Sequence, residues 1–150
     1  MTADRVIGKG NEVPWRISDD LRLFKKITTG NIVVMGKNTW CSIPERYRPL
    51  EGRTNIIVSS TLDRQHGAFV CRGIDSALKE AENHNGEIFC IGGAQLYGEM
   101  IRLSDEMHIS WVKRPFDGDK MFPEIDFDEW DTASSVDYPE FTYKRYVRKR

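Results

Sequence analysis

The sequence predicts a single α/β domain organised on a largely parallel sheet. Three observations lead there. The chain has 150 residues, enough for one core that buries about two-thirds of the surface its unfolded form exposes, and too few for two ordinary domains. Short unbroken apolar runs alternate with segments of helical periodicity, the pattern of repeated strand-helix-strand units. No repeat, low-complexity stretch or Gly/Ser linker interrupts the chain, so residues 1–150 read as one domain.

The elements follow in order. Ser18, Asp19, Asp20, Leu21, Phe24, Lys25 and Ile27 predict an amphipathic helix capped by Ser18 and stopped near Gly30, with acids in its first turn and lysines in its last. Ile32 to Met35 forms an apolar strand ending at Gly36, and Lys37 to Ile43 a short helix before Pro44. After the turn at Pro49 to Arg53 come a buried strand, Asn55 to Ser59, a weaker one, Ala68 to Arg72, and a helix over Asp75 to Asn83. Ile88 to Ile91 runs into Gly92-Gly93 and then a helical pattern over Ala94 to Leu103. Glu106 to Lys113 and Thr142 to Arg148 alternate like strands, which suits an antiparallel final hairpin.

Composition narrows the function. Lys and Arg total 22 against 23 Asp and Glu, so no global basic field attracts nucleic acid or anionic lipid, and an anionic ligand must be met locally. Cys41, Cys71 and Cys90 are odd in number and widely spaced, which fits reduced thiols in a cytoplasmic protein. The longest apolar runs fall far short of the ~18 residues of a membrane span. Asp4 and Arg5 follow the first residues at once with no apolar stretch behind them, so no signal peptide is expected. His66, His84 and His108 are too scattered for a metal site, and Trp40 and Trp111 read as packing residues.

Four segments carry possible chemistry. Val13-Pro14-Trp15-Arg16-Ile17-Ser18-Asp19-Asp20-Leu21 delivers a Trp and then a helix start. Helical spacing sets Asp20 beside the apolar stripe of Leu21, Phe24 and Ile27 and lets Asp19 face water. A carboxylate bordering an apolar face needs donors, and it can grip an amidine-like ligand edge or serve acid chemistry. The same two acids also suit simple complementation of the helix N-terminus, and this segment alone does not choose. Ile91-Gly92-Gly93-Ala94 passes from strand to helix through residues small enough for a phosphate to approach the backbone, or forms a plain tight turn. Met35-Gly36-Lys37-Asn38-Thr39-Trp40, with Ser59 and Ser60 beyond the neighbouring strand, brings a cation, an amide and hydroxyls to strand exits. Such exits suit a dinucleotide, or only helix capping. Arg53 offers a fork for a ligand carboxylate, or an ion pair at a strand start.

Taken together, Asp4-Arg5-Val6-Ile7-Gly8, Val13-Pro14-Trp15, Asp20-Leu21 with Phe24-Lys25, Met35-Gly36-Lys37-Asn38-Thr39-Trp40, Ser42-Ile43-Pro44, Arg48-Pro49-Leu50, Gly52-Arg53, Ile91-Gly92-Gly93, Tyr97 and Gly118-Asp119 resemble dihydrofolate reductase in order and spacing over nearly the whole chain. The resemblance implies that family's three-layer fold, a central mixed, mostly parallel sheet flanked by helices with an antiparallel final strand. It implies NADPH as cofactor and reduction of 7,8-dihydrofolate to 5,6,7,8-tetrahydrofolate for one-carbon metabolism, with antifolates as inhibitors. A related pterin or flavin-precursor reductase, or a weakly active or inactive paralogue that binds NADPH or antifolates, is the alternative.

Residue by residue, the resemblance makes Asp20 the pterin-binding acid that promotes protonation at N5. It makes Trp15 the anchor of a nearby water and sets Ser110 where Thr often bonds the acid. Leu21, Phe24, Ile43 and Leu50 match the walls around pterin and benzoyl groups, and Arg53 the receiver of the glutamate α-carboxylate. Tyr97 and Ile91 match positions close to the reacting rings. Ile7, Gly8, Gly92, Gly93, Ala94, Gln95 and Leu96 match the nicotinamide and pyrophosphate side, and Gly36, Lys37, Asn38, Thr39, Ser59 and Ser60 the adenosine-phosphate side. Lys37 and Gln95 replace arginines of some members, and a preference for NADPH over NADH is expected. Gly8 to Pro14 resembles a mobile loop that closes over nicotinamide. The resemblance also implies an apolar strand of about five to seven residues before Asp4, where only Met1, Thr2 and Ala3 stand. The native product is expected to carry this missing first strand; alternatively, another segment or subunit fills the slot, or the chain is a degenerate paralogue. A monomer is expected unless another chain fills that slot.

Overall fold

The computed structural model describes residues 1–150. In chain order the regular elements are β1 (Val6–Gly8), α1 (Ser18–Thr28), β2 (Ile32–Gly36), α2 (Lys37–Ser42), β3 (Thr54–Val58), β4 (Ala68–Cys71), α3 (Ile74–Ala81), β5 (Ile88–Cys90), α4 (Ala94–Met100), β6 (Glu106–Val112), β7 (Lys120–Met121), β8 (Trp130–Asp137) and β9 (Phe141–Arg148). The chain divides into two compact units. The first joins Met1–Arg22 to Tyr97–Arg150, and the second is Leu23–Leu96. No helix is long and apolar enough to cross a membrane.

The second unit holds a four-stranded parallel sheet in the order β4-β3-β2-β5. Its two central strands explain the unbroken apolar runs: Ile32, Val33, Val34, Met35, Ile56 and Ile57 are all fully buried, as strands covered on both faces must be. Val33, Met35, Trp40 and Ile57 form the centre of one core, with Ile43, Leu50, Val70, Phe89 and Ile91 packed on it. The register pairs Gly36 with Val58 and Val34 with Cys90, so Gly36, at the end of β2, and Ser59 and Ile91, just after β3 and β5, all lie at the same, C-terminal edge. Asn55 is buried yet satisfied, since its side chain receives Leu50 N–H at 2.9 Å and donates to the carbonyls of Leu50 and Arg53 at 3.0 Å. This side-chain staple fixes the turn ahead of β3 and with it Arg53.

The first unit is antiparallel. β6 and β8 flank β9, and β1 pairs with β7. Met1, Met107, Ile109, Trp130 and Tyr146 form its core, and Phe141 is fully buried. The final antiparallel sheet therefore has three strands, where the sequence pattern pointed to the two strands of a final hairpin. β8 escaped notice because all its residues after Trp130 are exposed, so its sequence carries no apolar alternation. β1 is the short stretch Val6–Gly8, and the segment before it is represented by the buried Met1 and Thr2. Met1 N donates to the Ser110 carbonyl at 2.6 Å and Met1 O accepts from Val112 N at 2.8 Å. Bonds to residues on either side of Trp111 are the pattern of a parallel bridge.

Candidate active site

In the first unit the candidate acid lies at the start of α1. The helix opens on the carbonyl of the buried Ile17, which accepts from Asp20 N and Leu21 N at 3.1 Å. Ser18 consequently falls inside the helix and does not cap it through its side chain. The two acids divide as their positions require. Asp19 is tied to Arg22 in an ion pair, whereas the half-buried carboxylate of Asp20 accepts no hydrogen bond from the chain. The Met1 ammonium feels this charge: burial pushes its pKa down to about 6 while Asp20 draws it up. Leu21, expected on an apolar face, is 59% exposed, an open hydrophobic surface one residue from the acid.

Trp15 is half-buried, and its ring meets Phe116 at 5.5 Å between centroids with 52° between planes. Ser110 lies on β6 opposite Tyr143, and its hydroxyl forms no hydrogen bond with Asp20. Tyr97 packs against Phe122 at 4.9 Å. Ile7 and Gly8 belong to β1, and the loop after them is well tied. Lys9 and Glu12 bridge each other, Gly10 N donates to Asp119 Oδ1 at 2.8 Å, and Asp119 N donates to Gly8 O at 3.1 Å. The Gly10 N–H bond chiefly holds the Asp119 carboxyl below the usual carboxylate range.

In the second unit two groups of side chains stand out. Arg53 is held on three sides: Nε donates to Glu51 O at 3.0 Å, Nη1 donates to Thr28 Oγ1 at 3.1 Å, and the guanidinium lies 5.8 Å from the Phe24 ring centroid. Nη2 is left uncommitted. Burial lowers the Arg53 pKa from its ordinary value, with Glu51 opposing; the remaining donor is poised for an anion. Ile43, Leu50 and Ile91 present half-buried apolar surface.

The other group lies at the strand exits. Lys37 Nζ donates to Thr61 Oγ1 at 3.4 Å. Ser59 Oγ accepts from Thr61 N at 3.3 Å and Leu62 N at 3.0 Å. Arg72 Nη1 donates to the carbonyls of Ser59 and Leu62 at 2.9 and 2.8 Å. Ser60, Asn38 and Gln95 are exposed, Thr39 and Ala94 half-buried, and Leu96 buried. Gly36 N donates to Gly92 O at 2.8 Å. Gly92, at φ +109°, adopts backbone that other residues avoid.

These groups fit a phosphorylated dinucleotide. A Cβ at Gly36 or Gly93 would meet protein atoms only at ordinary distances of 3.6 to 3.9 Å, so internal packing does not demand glycine there, while close approach of a phosphate to backbone would. Lysine, arginine and serine donors at adjacent strand exits match its charge. Thr61, Arg72 and Phe116 were missed from the sequence. Arg72 follows β4 just as Ser59 follows β3, so the rule that selected strand exits could have found it. Phe116 sits in an irregular segment with no such signal.

The comparisons agree with this geometry. The dihydrofolate reductase family model matches residues 1–148. The dihydrofolate reductase of Bacillus subtilis (strain 168) is 40% identical over 136 residues, covering 90% of this chain and 79% of the relative. That of Haemophilus influenzae is 35% identical over 130 residues, 87% of this chain and 79% of the relative. A solved structure of dihydrofolate reductase from Enterococcus faecalis, complexed with NADP(H) and RAB-propyl, superposes with a TM-score of 0.88 at 30% identity, covering 100% of this chain and 93% of that one. Sequence, fold and the donors at the strand exits thus converge, and the chain belongs to the dihydrofolate reductase family.

Proposed function

We propose that the chain, as a cytoplasmic monomer, reduces 7,8-dihydrofolate to 5,6,7,8-tetrahydrofolate, with Asp20 as the group that holds and activates the pterin. The observation that carries this reading is the half-buried carboxylate of Asp20 on the first turn of α1, which accepts no hydrogen bond from the chain and stands beside an acid already paired with Arg22. Three free cysteines fit a reducing compartment.

When bound, NADPH would supply the hydride that C6 of the pterin accepts. The protein's own tasks are to orient the substrate and to manage one proton. Asp20 accepts hydrogen bonds from the 2-amino group and N3–H of the pterin, a bidentate charge-assisted contact that favours protonation at N5. Trp15 orders the water through which that proton arrives. Leu21, Phe24, Ile43, Leu50 and Ile91 cover the apolar parts of the ligand, Arg53 receives the α-carboxylate of its glutamate, and Tyr97 and Ser110 line the reacting end. Lys37, Thr39, Ser59 and Ser60 hold the adenosine phosphates; Gly36, Asn38, Gly92, Gly93, Ala94, Gln95 and Leu96, with Ile7 and Gly8, contact the rest of the cofactor. The NADP(H) in the Enterococcus faecalis complex supports this cofactor assignment. Antifolates with an amidine-like edge satisfy Asp20 in the same way.

Arg53→Ala tests the substrate. It should raise KM for dihydrofolate about 10- to 100-fold with kcat and KM for NADPH little changed, because a charge-assisted fork that grips ground state and transition state alike is removed. Unchanged KM, or equal turnover of a pterin lacking the benzoylglutamate tail by the unaltered chain, would overturn the dihydrofolate reading.

A further inference from the structure

We infer that Phe116, braced by Arg114, is a positioning residue for the reaction, acting through Trp15. The inference rests on the reading of Trp15 given above and adds to it the means by which that side chain is held.

The segment 114–119 lies along the loop that runs from β1 to Trp15, and it meets that loop at three points. At the near end, Asp119 N donates to Gly8 O at 3.1 Å. A Cβ on Gly118 would collide with the Gly8 carbonyl oxygen and the Val6 side chain, so only glycine permits this approach. In the middle, Gly10 N donates to Asp119 Oδ1. At the far end there is no such hydrogen bond, and the attachment is aromatic. The Trp15 and Phe116 rings are tilted by 52° with centroids 5.5 Å apart, a separation within the preferred range for aromatic pairs. The other partner of Phe116 is the Arg114 guanidinium, 5.1 Å from the ring centroid, a cation–π distance.

These contacts have different consequences. The backbone bonds locate the loop, but none touches the Trp15 side chain. No hydrogen bond from the indole N–H to the protein forms, so packing, including that of the Phe116 ring, orients that donor. Val13, two residues earlier, is 57% exposed and offers no anchor. Without Phe116 the indole could turn about its side-chain torsions while the backbone stayed tied. A donor free to turn orders its water poorly, and proton delivery slows where hydride transfer need not. The cost should therefore grow with pH, as protons become scarce.

The test is a double-mutant cycle in the full chain, measured on kcat across pH with NADPH and dihydrofolate saturating. Phe116→Ala should lower kcat about three- to tenfold, the worth of one aromatic pair. The loss should widen above neutral pH and leave KM for NADPH unchanged. Phe116→Tyr should restore the rate, and Phe116→Leu, which keeps apolar bulk without the ring, should not. In a Trp15→Phe background, which lacks the indole N–H, Phe116→Ala should cost nothing further. Equal losses in both backgrounds, or full kcat in Phe116→Leu at every pH, would overturn the inference. Unchanged kcat in Trp15→Phe alone would instead overturn the reading of Trp15, and this role for Phe116 with it. The ring contact would then still show as greater acrylamide quenching of tryptophan fluorescence in Phe116→Ala than in the parent chain.

Discussion

The two units assemble their functional groups by different physical means. In the second unit the sheet is parallel and its central strands are wholly buried. Its polar groups are confined to strand exits and to the turn stapled by Asn55. In the first unit the sheet is antiparallel, β8 is almost entirely exposed, and the acid sits on a helix start approached by an irregular loop. One set of donors is fixed by a core and the other by loop contacts. Substitutions in the second unit's core should therefore cost folding before they cost chemistry, while those around the first unit's loop should do the reverse.

The largest expected effect bounds this division, because the first unit has a buried core of its own. Phe141→Ala, at a fully buried position of β9, should destabilise the chain by about 3–5 kcal/mol in a denaturant titration, whereas Val136→Ala on exposed β8 should shift it by under about 0.5 kcal/mol. Ile57→Ala in β3, also fully buried, should cost about 2–5 kcal/mol. A tolerant Ile57→Ala would show that the second unit is not held by its core.

The next effect sharpens the account of the strand exits. Lys37→Gln removes the cation beside Thr61 and should raise KM for NADPH about tenfold with little change for NADH, since only NADPH carries the extra phosphate. Equal losses for both cofactors would place Lys37 elsewhere on the dinucleotide.

A smaller effect concerns pH. The hydrogen bond from Arg145 chiefly holds the Glu106 carboxyl below its ordinary value of 4.5, with His108 assisting. Between that lowered value and 4.5 the unfolded chain binds more protons than the folded one, so stability is present above 4.5 and is lost as pH falls through the folded value. The pair is partly exposed, so its share is below about 1 kcal/mol. Glu106→Gln should flatten the acid limb of the stability profile by that amount, and an unchanged limb would assign acid sensitivity to other carboxyls. The smallest effect is chemical. Burial pushes the Cys90 thiol up to about 11, so iodoacetamide at neutral pH should label exposed Cys41 well before Cys90 in the folded chain.

The sequence was most legible where a pattern had one physical cause. Ile32 to Met35 announced a strand buried on both faces, and the residues after β2, β3 and β5 announced themselves as strand exits. Arg53 was legible as a fork but not as a held one, because its partners Thr28 and Phe24 lie 25 and 29 residues away in the chain and only folding reveals them. β8 was illegible, since an exposed strand such as Asp131 to Asp137 has no apolar face to betray it. Asp20 was the intermediate case. Helical spacing marked it as the inward acid of the pair, yet only the structure shows that Asp19 is paired with Arg22 while the Asp20 carboxylate accepts no hydrogen bond from the chain. Phe116 depends wholly on tertiary contact.

The central claim is that Asp20 is the group on which reduction depends, and a steady-state assay of NADPH oxidation by this chain and its Asp20→Asn variant tests it most directly. The account predicts oxidation that requires dihydrofolate and falls by about 100-fold or more at neutral pH in the variant. Part of the rate should return as pH is lowered and solvent protons substitute for the missing acid. Equal turnover in the two proteins, at neutral pH and with folding intact, would contradict it.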